Sequence, residues 1–272
     1  MKTSDMSSPD DTAQTQEGAE DEEQPLGEMS FVDHLIEVRD RLVKSLIVVV
    51  VIFIGLFPFA NNLYLLLSEP LRKLLPEGSS MIATEVASPF LTPFKLSMVC
   101  AIFIAMPYML YHMWAFIAPG LYNKERKLVY PLLITSSALF YLGMAFAYYV
   151  VFPLMFGFFT SAAPEGIEIM TDISRYLDFV LKIFFAFGIA FEVPIATILV
   201  IWAGFTTPQA LSAKRPYVIV TAFVVGMLLT PPDAISQTLL AVPMWVLFEL
   251  GLVFSKFYLR DPVQNVEPDN PA

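Results

Sequence analysis

The sequence predicts an all-α membrane protein that crosses the bilayer six times, and its composition and its apolar runs both indicate this. Of the 272 residues, 56% are hydrophobic and only 15% are charged, and the mean hydropathy is +0.63. A soluble domain could not bury that much apolar surface. The apolar residues also form long runs, and a helix of about 20 such residues crosses a hydrocarbon core of about 30 Å.

Six apolar runs are separated by polar or proline-containing connections. The predicted spans are residues 43–59, 94–117, 128–152, 176–203, 217–229 and 235–254. We expect Pro107 to interrupt the second span, because proline removes a helix hydrogen bond. The fifth run would reach only about 20 Å as a helix. Either that helix extends into its polar neighbours or the bilayer is thinner around it.

Residues 30–258 contain all six apolar runs, and the two ends of the chain differ from them in composition. Residues 1–29 are predicted to be a disordered acidic tail, because such a segment has too little apolar content to fold. The first 30 residues contain nine acidic side chains and one Lys, which gives −8 of the net charge of −10. The segment has neither the basic nor the apolar region of a signal peptide. Residues 259–272 are predicted to be a second disordered tail.

The distribution of Lys and Arg predicts that both termini are cytoplasmic. With six spans, one side of the membrane receives four basic clusters: Arg39, Arg41 and Lys44; Lys124, Arg126 and Lys127; Lys214 and Arg215; Lys256 and Arg260. The longer connections of the other side carry Arg72, Lys73, Lys95 and Arg175. The basic clusters therefore mark the cytoplasmic face.

The connections on the outer side are predicted to form a structured periplasmic cap over the bundle. Leucines at helical spacing around Pro70 indicate a short amphipathic helix over residues 61–75. Residues 79–93 contain two prolines and are expected to be extended. Residues 162–173 are another polar connection, and the turn after the fifth run ends at Asp233. Pro70 and Asp233 are therefore predicted to be structural residues of this side.

Glu192 is a single carboxylate within the apolar run from Ile183 to Trp202. A charged acid at bilayer depth costs roughly 2.5–3.5 kcal/mol on insertion scales. Such a residue indicates either a functional site or a protonated acid that is hydrogen-bonded to a neighbouring helix.

The other noteworthy acids lie nearer the membrane surfaces. Asp178 and Lys182 have the i,i+4 spacing of a helical ion pair, and we expect a mainly structural pair there. Glu37 and Arg41 have the same spacing. Glu125 lies among Lys and Arg residues, and its position alone is compatible with simple balancing of surface charge.

The sequence contains no enzyme signature. It lacks the P-loop pattern of nucleotide hydrolases, and His34 and His112 are too far apart to indicate a metal site. Nothing indicates a Ser-His-Asp arrangement. We therefore expect a protein that is not an enzyme, with no cofactor, no metal and no nucleic-acid partner.

Short motifs occur in order along nearly all of residues 30–258: His34-Leu-Ile-Glu37-Val-Arg39, Met81-Ile-Ala-Thr-Glu-Val-Ala-Ser-Pro-Phe90, Trp114-Ala-Phe-Ile-Ala-Pro-Gly-Leu-Tyr122, Glu125-Arg126, Phe191-Glu192-Val-Pro194, Lys214-Arg-Pro-Tyr217, Met227-Leu-Leu-Thr-Pro-Pro-Asp233 and Ser236-Gln237. Together they resemble the TatC family, the large membrane subunit of the bacterial twin-arginine protein translocase. The acidic tail lies outside the family pattern.

The resemblance implies a concave bundle in the bacterial cytoplasmic (inner) membrane. It would bind twin-arginine signal peptides at its cytoplasmic face and take part in the transport of folded proteins, driven by the proton-motive force. The resemblance places peptide recognition on Glu37 and Glu125, with Arg39 in the first motif and Phe116 packed beside the site. This choice is chemically sensible, because an Arg guanidinium pairs bidentately with a carboxylate and Lys does not.

The resemblance also implies partner surfaces. Met227 and Leu228 would dock a single-span subunit of the TatB type, and Thr230 and Gln237 would form a polar site for TatA or TatB. Glu192 would meet a polar residue of TatA in the membrane. Other copies of the chain and the lipid bilayer are further expected partners.

Two other classes of protein remain open at the level of sequence. An ion-coupled secondary transporter could use Glu192 as its proton site, but it should show an internal repeat or paired broken helices, and no repeat is visible. A purely structural membrane scaffold would leave Glu37 and Glu125 dispensable.

Overall fold

The computed structural model describes five ranges of the chain: residues 31–73, 81–117, 129–162, 170–230 and 233–258. These ranges are almost entirely helical, which confirms the all-α fold class. The chain divides into two units, residues 1–39 and residues 40–272. The described part of the first unit is residues 31–39, which belong to α1 (Phe31–Leu56). The predicted tails lie outside the described ranges.

The described residues form a series of ten α-helices. A 3₁₀ turn (Phe57–Phe59) follows α1, and a π-helical segment (Ala147–Val151) joins α4 to α5. The helices after α1 are α2 (Ala60–Arg72), α3 (Ser88–Ile117), α4 (Val129–Phe146), α5 (Phe152–Ser161), α6 (Ile173–Ala190), α7 (Val193–Trp202), α8 (Pro208–Ala213), α9 (Arg215–Leu229) and α10 (Ala234–Tyr258).

Five helical stretches of the described chain are long and apolar enough to cross a membrane: Leu35–Glu69, Ser88–Phe116, Tyr130–Ser161, Ile173–Trp202 and Ala234–Lys256. A sixth apolar helix, α9, has 15 residues and is therefore about 22 Å long. Compared with the predicted run of residues 217–229, α9 is longer only by Arg215 and Pro216. Extension into polar neighbours thus does not bring α9 to the usual membrane thickness.

The prediction that Pro107 interrupts the second span was wrong, because α3 continues through this residue. A proline deprives the carbonyl four residues earlier of its N–H partner, and here that carbonyl belongs to Phe103. The hydroxyl of Tyr141 on α4 donates to this oxygen at 3.0 Å. A neighbouring helix therefore supplies the hydrogen bond that proline removes, as membrane bundles can do.

Residues 79–93 were predicted to be extended, and among the described residues this holds only for residues 81–84, because residues 85–87 form a bend and a turn before α3. Ile82 forms a parallel bridge with Asp172, in which the N–H of Ile82 donates to Thr171 at 3.0 Å. From Ser88 onward the chain is helical, so the prediction was wrong there. Pro89 occupies the first helical turn, where a missing N–H costs nothing.

The predicted fourth span is divided into α6 and α7 by a turn at Phe191 and Glu192. Pro194 accounts for the break, because its ring has no N–H for the carbonyl of Ala190 and clashes with it. The new helix starts with this proline in its first turn. Glu192 therefore lies at a helix junction inside the stretch Ile173–Trp202, which corresponds to the predicted fourth span.

The core lies where α4 packs against α3 and α6, while α10 packs against α7 and α9. Phe140, Phe152 and Phe187 are fully buried there. α4 and α6 approach closely at two glycines. A Cβ on Gly188 would lie 2.5 Å from the Phe140 ring, and a Cβ on Gly143 would lie 2.5 Å from the carbonyl oxygen of Phe187.

Candidate functional site

Arg41 connects α1 to the end of α3. Its Nη2 donates to the carbonyl oxygen of Ala115 at 3.5 Å, and its Nη1 lies 3.4 Å from Nδ1 of His112. The last four carbonyls of a helix lack partners within that helix, and a cation at this end is favourable. Arg41 therefore fixes the first membrane helix against the end of α3. The sequence indicated this residue only through its spacing to Glu37 and its place in a basic cluster, and neither predicts a contact with α3.

The predicted peptide-binding residues are only partly described. Glu37, which is partly exposed, and Arg39, which is exposed, lie in α1 within residues 31–39. Phe116 is partly buried in the last turn of α3. Glu125 lies outside the described residues. That Glu37 and Glu125 read one peptide together thus stays a prediction.

Glu192 lies beside a buried polar pair. The indole Nε1 of Trp114 on α3 donates to Oγ of Ser136 on α4 at 3.0 Å, and both residues are buried. Ser136 also lies close to the Glu192 carboxylate. Within the described chain, neither carboxylate oxygen of Glu192 forms a hydrogen bond of good geometry. The two carboxylate oxygens are therefore buried with their hydrogen-bonding capacity unused among the described residues, while the residue as a whole is half-buried.

The predicted partner surface lies on α9 and at the start of α10. Met227 and Leu228 are exposed, at 50% and 70%. Thr230 is buried, and its hydroxyl donates to the carbonyl of Gly226 at 2.9 Å. Gln237 donates through Nε2 to the carbonyl of Phe223 at 3.1 Å. The apolar part of the surface is therefore open, whereas both polar side chains hold α9 itself in place.

Asp233 and Pro70 were predicted to be structural residues of the outer side. Asp233 precedes α10, and its Oδ1 accepts a hydrogen bond from the N–H of Ser236 at 2.7 Å. This is the geometry of a helix N-cap. Pro70 lies within α2.

A polar clasp, formed by Thr84 and Asp172, joins the connection before α3 to the start of α6. Asp172 caps α6 through Oδ1, which accepts from the N–H groups of Ser174 and Arg175, each at 2.9 Å. Its Oδ2 accepts from the N–H of Thr84 at 2.9 Å and from its hydroxyl at 2.6 Å. These hydrogen bonds, with the Thr84 hydroxyl foremost, lower the pKa of Asp172 to about 2. Sequence reasoning missed this residue, although an Asp directly before an apolar run is a usual cap signal.

The expected ion pair of Asp178 and Lys182 is not formed. Asp178 on α6 instead accepts from Nζ of Lys95 on α3. An ion pair between two helices thus replaces the expected pair within α6. The i,i+4 spacing could not predict this, because it contains no information about which helix packs against α6.

Comparison with known proteins places these features in one family. The family model described as Sec-independent protein translocase protein (TatC) matches residues 33–243. This chain belongs to the TatC family. The resemblance inferred from its motifs is thereby confirmed.

Relatives in the TatC family are similar over nearly their whole length. The Sec-independent protein translocase protein TatC of Haemophilus influenzae is 58% identical over 238 residues, which cover 88% of this chain and 91% of that one. The protein of the same name from Escherichia coli K12 is 59% identical, covering 84% and 89%. That of Aquifex aeolicus is 38% identical, covering 85% and 97%.

A solved structure agrees with the fold of this TatC chain. The crystal structure titled Twin Arginine Translocase Receptor TatC superposes with a TM-score of 0.76 at 37% identity, and the match covers 84% of this chain and all of that one. The chain is thus a subunit of a Sec-independent protein translocase, a bacterial membrane protein of a protein-transport family. These findings do not favour the secondary-transporter alternative.

Proposed function

We propose that this chain is the signal-peptide receptor of a twin-arginine translocase in the bacterial inner membrane. Glu37 and Glu125 would pair with the two arginines of the signal peptide, with Arg39 and Phe116 beside them. Each Arg can form two parallel hydrogen bonds with one carboxylate. Membership of the TatC family carries this proposal, and one of its solved relatives is titled a twin-arginine translocase receptor.

Arg41 provides a physical basis for the location of the site. It holds α1 against Ala115 and His112, in the last turns of α3. In sequence, Glu37 precedes Arg41 by four residues, and Glu125 follows the end of α3 by eight. A short stretch of chain therefore separates each acid from the same anchored contact. The basic residues around Glu125 would repel peptides whose positive charges are not placed to reach a carboxylate.

The proposed membrane arrangement has six spans with both termini in the cytoplasm. Five are the long helical stretches and the sixth is α9. Because α9 is about 22 Å long, the bilayer would be thinner beside it than the usual 30 Å or so. Local thinning costs only fractions of a kcal/mol per Å, and it would ease the passage of a large solute.

Transport itself would require single-span partners and other copies of this chain. The exposed Met227 and Leu228 would dock a TatB-type helix, and Gln237, Thr230 and Glu192 would contact polar groups of TatA or TatB. Hydrogen bonds between membrane helices average about 0.6 kcal/mol, which suits reversible assembly. The proton-motive force would supply the energy.

Signal-peptide crosslinking to the purified chain tests the receptor proposal. We expect Glu125→Lys and Glu37→Lys each to reduce crosslinking strongly, because each places a positive charge where an arginine must bind. Glu85→Lys is the matched control, since this exposed residue lies between α2 and α3, on the opposite side in the proposed topology. Undiminished crosslinking in both test variants would rule out recognition by these acids.

A further inference from the structure

A groove of about 830 Å³ lies between α6 and α9, with residues of α3 and α10 also lining it. Its walls are mainly apolar side chains such as Leu181, Phe185 and Ile189. Its charged residues are Lys95, Asp178 and Lys182, which lie together near the start of α6, and Lys214, which directly precedes α9. The groove therefore combines a long apolar surface with a compact charged end.

The charges at this end do not balance. Lys95 is paired with Asp178. Lys182 lies one helical turn beyond Asp178, is exposed, and has no carboxylate partner among the described residues. The three side chains together carry one net positive charge. A cation at this depth of a membrane helix is costly and normally meets a partner or a polar surface.

We propose that this end of the groove binds the phosphate of an anionic phospholipid whose acyl chain lies along the apolar walls. One phosphate charge matches the single surplus positive charge. The ammonium of Lys182 can extend towards the level of Asp178 while its methylene stem stays on the apolar wall, and there it forms charge-assisted hydrogen bonds with phosphate oxygens. A soluble anion would leave the apolar walls uncovered, so the lipid is the occupant that satisfies both parts.

The lipid site differs from the surfaces discussed above. It does not involve Glu37 or Glu125, and it is independent of the proposed receptor function. A single-span helix could also cover the apolar walls, but it would need an acid at the depth of Lys182 to balance the charge. The two occupants can be separated by experiment.

Native mass spectrometry of the purified full chain in detergent tests the charged end. We expect phosphatidylglycerol to remain bound more strongly than zwitterionic phosphatidylethanolamine. Lys182→Gln should weaken phosphatidylglycerol binding about fivefold, the effect of roughly 1 kcal/mol for one basic residue near lipid phosphate. Lys256→Gln, a lysine in the last turn of α10 outside the groove lining, should change nothing. Equal retention of phosphatidylglycerol by the wild type and Lys182→Gln would overturn the proposal.

Two further measurements test the apolar walls. Ala186→Leu narrows the groove without changing its charge, and we expect it to reduce retention of both lipids. Retention equal to the wild type would contradict an acyl chain in the groove. A photoreactive residue in place of Ile189, which is 61% exposed, should yield an adduct with the mass of a phospholipid in membranes. An adduct with a polypeptide alone would show that a partner helix fills the groove instead.

Discussion

Asp172 is held to Thr84 by two hydrogen bonds, at 2.9 Å from the backbone N–H and 2.6 Å from the hydroxyl. They join the connection before α3 to the start of α6, across 88 residues of sequence. Because the other oxygen of Asp172 caps α6, one carboxylate orients both the helix and the connection. The segment that leads into α3 and the N-terminal end of α6 are thereby fixed relative to each other.

Asp172→Asn should lower the thermal stability at neutral pH. Asparagine can still cap α6 with its amide oxygen, but its NH₂ group would then face the N–H donor of Thr84. We expect the melting temperature in detergent to fall by several degrees. Thr84→Val should have a smaller effect, because it removes only the hydroxyl and keeps the backbone bond. An unchanged melting temperature for Asp172→Asn would show that the clasp adds no stability.

The same carboxylate predicts a pH dependence. Its pKa falls from an ordinary value of 3.8 to about 2 in the folded protein. The contribution to the free energy of unfolding is therefore complete above about pH 4 and is lost as the pH falls through about 2. The melting temperatures of the wild type and Asp172→Asn, measured between pH 7 and pH 2, should become equal towards pH 2. A constant difference at every pH would contradict this assignment.

The close approach of α4 to α6 predicts a large effect at Gly143. An added methyl group would lie 2.5 Å from the Phe187 carbonyl oxygen, and backbone cannot rotate away as a side chain can. We expect Gly143→Ala to lower the free energy of unfolding by about 1–3 kcal/mol. Gly157→Ala is the control, since nothing lies within 4 Å of its added methyl group. It should be neutral or stabilising by up to about 1 kcal/mol. Denaturant unfolding in detergent measures both, and equal effects would contradict the steric explanation.

Glu192→Gln should separate transport from peptide binding. The substitution keeps the size of the side chain but removes the acid, whose carboxylate oxygens are buried without a hydrogen bond among the described residues. We expect signal-peptide crosslinking at wild-type level, together with weaker assembly with single-span partners or slower transport of a folded cargo into vesicles. Loss of peptide binding in this variant would contradict the division of roles between Glu192 and the surface acids.

The sequence predicted the helices well where hydrophobicity decides them, and less well where neighbouring helices do. The apolar runs located all five long stretches and α9. Pro107 was misjudged because the hydroxyl that compensates for it, on Tyr141, comes from another helix. Pro194 does break its helix, and the break could not be read from hydropathy. The packing of α3 against α6 brings Lys95 to Asp178. Asp178 therefore pairs with Lys95 and not with Lys182. The recognition acids were inferred from family motifs, since a surface Glu among basic residues has no distinctive pattern of its own.

The central claim is that Glu37 and Glu125 read paired arginines, and the preference for arginine over lysine tests it most directly. The measurement is the affinity of the purified chain for a signal peptide with Arg-Arg and for the same peptide with Lys-Lys, repeated for Glu37→Gln/Glu125→Gln. The wild type should bind the Arg-Arg peptide more tightly, because only guanidinium groups form bidentate pairs with these carboxylates. The double variant should lose most of this preference. An undiminished preference for Arg-Arg in the double variant would contradict the account.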